Sequence, residues 1–106
     1  MSVQPLPTPS APPVAGPYSP AVRAGDFVVL AGQVGIDGAG KLVHGGIEAQ
    51  AGQVLANIAA VLGDIGAGWD DVARTTIGVA ALPAGARVEI ECWVYLPEVT
   101  EAEEPT

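Results

Sequence analysis

Three polar side chains stand in apolar or β-branched surroundings: Tyr18 in "GPYSPAV", Arg74 in "WDDVARTTIGVAAL" and Glu89 in "ARVEIECWVYL". A guanidinium offers a planar fork that matches a carboxylate with two hydrogen bonds. A carboxylate orients or deprotonates a water, and a phenol donates to a developing charge. Together they could serve a small anionic substrate attacked by water. The same residues also admit a structural reading, in which Arg74 and Glu89 form an ion pair between strands and Tyr18 is a half-buried strand residue.

Other chemistries find no support in the residue inventory. His44 is the only histidine and sits in a glycine-rich loop, far in sequence from the single cysteine, Cys92. A metal site needs more ligands than these, and a Ser-His-Asp or Cys-His mechanism needs a histidine held by an orienting partner. No metal is therefore expected. The glycines of "AGQVGIDGAGKLVHGG" follow neither the P-loop order nor a strand–GxGxxG–helix context, so turn formation accounts for them. Trp69 and Trp93 read as packing or interface residues, since no basic groove surrounds them.

Composition narrows the partners. Four Lys and Arg against twelve Asp and Glu give a formal net charge of −8, which repels a phosphate backbone and excludes nucleic acid as a partner. One cysteine cannot close an internal disulfide, which suits a reducing, cytoplasmic compartment. The N-terminus has neither the basic start nor the apolar core of a signal peptide, and no apolar run is long enough to span a bilayer. At 106 residues the chain is one small domain that gains from association with other subunits.

The elements that must position these residues follow from pattern. Residues 1–15 carry prolines at 5, 7, 9, 12 and 13 and read as a loose arm; residues 98–106 hold four glutamates and read as a disordered acidic tail. The folded unit is then 16–97. "YSPAVRAGDFVVLAGQ" predicts a hairpin turning at Gly25 and Asp26, followed by a glycine-rich loop with a short extended piece at Lys41–Val43. Apolar residues at Ile47, Ala51, Val54, Leu55, Ile58, Leu62 and Ile65 predict an amphipathic helix stopped by Gly66 and Gly68. Residues 75–81 and 87–96 predict two strands separated by "LPAGA", and the whole order implies an α+β sheet with one helix on it.

Three blocks, "GPYSPAVRAGDFVVLAGQVGID", "GGIEAQAGQVLANIAAVLGDIGAGWDDV" and "ARTTIGVAALPAGARVEIE", cover nearly all of residues 16–91 and resemble, in order, the RidA proteins, also called the YjgF/YER057c/L-PSP group. The resemblance implies a chorismate-mutase-like α+β fold and a homotrimer with ligand sites between subunits. It also implies hydrolysis of reactive enamines and imines of amino acids to 2-keto acids and ammonia, without cofactor or metal. In the family's motifs the arginine opening "R-[ST]-[TC]" binds the substrate carboxylate, which places Arg74 and Thr75 in substrate binding. The tyrosine of "GPYS" matches Tyr18, and the first glutamate of "VEIE", which positions the attacking water, matches Glu89. The loop "SGQ", here "AGQ", adds Gly32. Thr76 stands where many members have cysteine. A ribonuclease activity is also attached to the family name, but the negative charge and the missing histidine base oppose it.

One departure matters. In the family "DDV" is followed by a strand beginning "(V/I)KTT" and a second helix before the strand beginning "ARTT". Here "DDV" runs straight into "ARTT", as if one strand and one helix, roughly thirty residues, were missing. An asparagine of the family pocket goes with them. The fold expected is thus the RidA-type sheet truncated by loss of the second helix, with exposed apolar surface that favours association. Arg74 belongs either to the earlier word, as a surface residue, or to the later one, as the carboxylate binder. The longer downstream match favours the later.

Overall fold

The computed structural model describes residues 3–13, 19–78 and 85–97. The hairpin forms where the turn residues require it. Strand β2 (Ala21–Ala24) pairs antiparallel with β3 (Phe27–Gln33), and the connecting Gly25 takes φ 63°, a left-handed conformation that costs glycine little. A bridge between Ile36 and Leu42 closes the following loop, at the expected short extended piece.

The helix α1 spans Gly46–Asp64, with Glu48 in its first turn and Gly66 just past its end at φ 78°. It buries Gln50, Val54, Asn57, Ile58, Val61 and Leu62, whereas Ile47 and Leu55, expected to face inward, are exposed. The inward stripe is rotated because two amides on it are used. Asn57 Nδ2 donates to the Ile36 carbonyl at 2.9 Å, and Gln50 Oε1 accepts from the Arg87 amide at 2.8 Å. These bonds satisfy loop backbone that the helix would otherwise cover unpaired.

After a single 3₁₀ turn at Trp69–Asp71, strands β4 (Val72–Gly78) and β5 (Glu89–Tyr95) complete an antiparallel sheet with an additional short strand β1 (Gln4–Pro5), in the order β1-β2-β3-β5-β4. β4 begins three residues before the sequence pattern suggests, because Val72 already pairs with Val94. On β5 the alternation is strict. Ile90, Cys92 and Val94 point to the helix and meet Val28, Leu30, Val54, Ile58, Val61 and Leu62 in the core, while Glu89, Glu91, Trp93 and Tyr95 face outward.

The N-terminal arm differs from expectation. Gln4 and Pro5 pair with Arg23 and Val22, Leu6 and Ala11 pack against the core, and both the amide and hydroxyl of Ser10 donate to the Asp64 carboxylate at 2.8 Å. Proline is tolerated in β1 because that strand lies at the sheet edge. The acidic tail lies outside the described residues. On β4, Thr75 is exposed although its cross-strand partner Cys92 is fully buried, so the helix side of the sheet is uncovered at this edge.

Candidate functional site

The outward face of β5 carries the candidate chemistry, and a bulge in β3 shapes its surroundings. Leu30 pairs with Cys92 but Gln33 pairs with Ile90, so Ala31 and Gly32 together face the single residue Glu91. The extra residue swings Gly32 beneath Glu89. A Cβ on Gly32 would lie 2.8 Å from Glu89 Cδ and 3.1 Å from Oε1. A side chain there would push the half-buried Glu89 carboxylate out of its place, so the small residue is what lets the carboxylate lie where it does. The structure thus brings together Gly32 and Glu89, two of the residues singled out from sequence.

Arg74 shares the outward face but stands further along it. It pairs with Trp93, whereas Glu89 pairs with Gly78. Four residue steps separate the two rungs, about 13 Å at the rise of a strand. They are not a facing cross-strand pair, so the ion-pair reading of these two residues fails on register. Glu91, also half-buried, lies between them on β5. The strip therefore runs from carboxylates at one end to an exposed guanidinium at the other, a polarity that suits a ligand with a carboxylate at one end and a cationic nitrogen nearby.

Thr75 points the other way. It pairs with Cys92, and its Oγ1 lies 3.8 Å from Cys92 Sγ on the helix side of the sheet. What it can offer beside Arg74 is backbone. Burial pushes the Cys92 thiol above its ordinary value; the Thr75 hydroxyl partly offsets this, and the nearby Glu91 charge adds to it. Tyr18 lies outside the described residues, as does the side chain of Thr76. His44 is exposed, and among the described residues no group of three or more His, Cys, Asp or Glu could hold a metal ion.

Beyond Arg74 the outward face is aromatic. Phe27 meets Trp93 at a ring-centroid distance of 6.2 Å and Tyr95 at 5.5 Å, both edge to face, and all three rings are substantially exposed. Pattern reasoning missed Gln50, the buried amide that reaches the chain just ahead of Glu89. A glutamine beside the apolar positions of an amphipathic helix is the only sequence signal it leaves.

A single antiparallel sheet covered on one face by one helix, with a carboxylate seated over a glycine bulge on the other, defines an α+β protein of the RidA type. The family model described as Endoribonuclease L-PSP matches residues 8–77, and the chain belongs to that family, the RidA proteins. A RutC family protein of Synechocystis is 35% identical over 102 residues, spanning 94% of this chain and 78% of that one. A protein of Dermatophagoides farinae named 2-iminobutanoate/2-iminopropanoate deaminase is 36% identical over 119 residues, spanning 84% of this chain and 93% of its own. The crystal structure of RidA from the Antarctic bacterium Psychrobacter sp. PAMC 21119 superposes with a TM-score of 0.80 at 32% identity, covering 88% of this chain and 99% of that one. Since 84% of 106 residues is about 89, about thirty of the 119 positions aligned with the mite protein face no residue here. That is the size of the strand and helix expected to be missing.

Proposed function

We propose that this protein hydrolyses reactive 2-imino and 2-enamino acids to 2-keto acids and ammonia. The observation that carries the reading is the Glu89 carboxylate held over Gly32 on the same face as Arg74. Relatives named for deamination of 2-iminobutanoate and 2-iminopropanoate, at 32–36% identity, support it at the level of the family.

An imine carbon is already electrophilic, so little machinery is required. Arg74 holds the substrate carboxylate, with the Thr75 backbone beside it. Glu89 orients a water, takes its proton as the oxygen bonds to the imine carbon, and passes that proton to the nitrogen, giving a neutral carbinolamine. Glu89 then takes the hydroxyl proton as the C=O bond forms and delivers it to the nitrogen, so the C–N bond breaks and ammonia leaves. Tyr18 donates to the charge that develops. Because the Arg74 and Glu89 rungs are about 13 Å apart and the Glu89 carboxylate leans over Gly32 on β3, away from β4, one small substrate would meet both groups in a cleft between subunits, with Arg74 of one chain facing Glu89 of another.

Association belongs to the same reading. A homotrimer would cover the exposed Phe27, Trp93 and Tyr95 and supply a second wall to the strip. Among the described residues no helix is long and apolar enough to cross a membrane, and a cytoplasmic setting accords with the single cysteine.

The test is to generate an imino acid with an amino acid oxidase and follow its disappearance with and without the protein. The expected result is acceleration over buffer, and light scattering should give three chains per particle. Equal rates in buffer and protein would overturn the activity; a monomer would remove the intersubunit site. A second reading, a non-catalytic RidA-like ligand-binding protein, is favoured by the pocket wall lost with the missing segment. It is distinguished by calorimetric binding of a 2-keto acid without turnover of the imine. Incubation with RNA at low salt should show no cleavage, given the charge of −8.

A further inference from the structure

We propose that Gln50 is the positioning residue that sets Glu89 against Gly32, an inference that rests on the deaminase reading for its kinetic form. Glu89 opens β5 and Gly32 lies one residue from the end of β3, so both sit where the ladder between the two strands runs out; its last pair is Gln33 with Ile90. Beyond that pair the two chains must be held by something else. Gln50, 5% exposed on the inward face of α1, reaches both.

Its side chain holds the approach to Glu89. Gln50 Oε1 accepts from the backbone amide of Arg87, two residues ahead of Glu89, at 2.8 Å. Its backbone holds the exit from the bulge. A Cβ on Gly35, three residues after Gly32, would come within 2.8 Å of Gln50 Cα and 2.9 Å of its carbonyl oxygen, so the chain there lies directly on the helix. One residue of a rigid helix thus fixes the spacing of the two segments that frame the carboxylate. Without the amide oxygen, the Arg87 N–H loses its acceptor under the helix, and the segment leading into Glu89 is released to find another.

The experiment compares wild type with Gln50→Met, which keeps length and packing but accepts no strong hydrogen bond, and Gln50→Glu, which keeps the accepting oxygen. In the imine assay the Gln50→Met variant is expected to lower kcat on the order of ten- to a hundredfold with KM nearly unchanged, as a misplaced catalytic group does. Gln50→Glu should recover most of the loss. The Gly35→Ala variant, which presses on the same contact with Gln50 intact, should reproduce the kcat loss if Gln50→Met fails to fold. Unchanged kcat in the folded variants, or Gln50→Glu performing no better than Gln50→Met, would overturn the proposal. If wild type itself shows no turnover, the deaminase reading fails and NMR chemical shifts decide the positioning role. The backbone amide signals of Gly32 and Glu89 should move in Gln50→Met while that of exposed Asp70 stays. Unmoved Gly32 and Glu89 signals would overturn it.

Discussion

The two ends of the outward strip are built on different terms. At the Glu89 end the bulged Gly32 presents no side chain against the carboxylate, and a buried amide of α1 bonds the chain two residues before it. At the Arg74 end the residue stands exposed on an edge strand, beside a partly exposed aromatic cluster. The Glu89 carboxylate is half-buried against Gly32, whereas a guanidinium on a long exposed stem retains rotamer freedom that a ligand or neighbouring surface must restrict. Placing the carboxylate and placing the guanidinium are therefore separate structural problems here.

That contrast is tested most severely by Glu89→Gln, which keeps shape and removes the base. If the carboxylate is the reacting end, kcat falls by about a hundred- to ten-thousandfold, with little change in KM. A loss that appears mainly in KM would assign Glu89 to binding and erase the distinction between the ends. Arg74→Ala should behave in the opposite sense. Loss of a charge-assisted hydrogen-bonded pair costs about 1.5–3 kcal/mol, so KM should rise on the order of ten- to a hundredfold while kcat changes less. Arg74→Lys, lacking the fork, should recover only part of it. Full activity in Arg74→Ala would remove this residue from the site.

The same contrast governs what could be read before the structure. The outward face of Glu89 was legible because its signal is local, the strict alternation in "RVEIECWVYL", whereas Gly32 was reached only through the family resemblance. The hairpin and helix were legible from turn residues and periodicity, within one or two residues at most ends. The distance between Arg74 and Glu89 was not, because it depends on the register of β4 with β5, which no single strand pattern specifies. Gln50 escaped because its partner lies 37 positions away and the hydrogen bond is to backbone, which any residue at 87 would supply. The arm escaped for a related reason. Proline spacing argues against a central strand but says nothing of an edge, and Ser10 finds Asp64 across 54 positions.

Cys92 offers the smallest and most localised test, since it lies on the helix side of β5 opposite Thr75, one residue from the rung of Arg74 and three from that of Glu89. Burial raises its thiol above the ordinary value of 9.0, so the folded state holds the proton more tightly than the unfolded chain. The sign follows from linkage. Stability from this group is complete below about pH 9, and is lost as the pH rises through the folded value, because the unfolded chain ionises first. Urea midpoints of wild type should therefore fall more steeply above pH 9 than those of Cys92→Ala, a variant in which no thiol titrates. Below that pH the two curves should run parallel. The exposed Thr75 edge makes the outcome informative about the comparison as a whole. If association covers the strip and the edge of β4 together, the alkaline difference should grow with protein concentration, as burial of the thiol deepens. If association covers the outward face alone, the two proteins should keep the same difference at every concentration. Parallel curves across the whole alkaline range would mean the thiol is as accessible folded as unfolded, and that the core beneath the strip opens at the β4 edge.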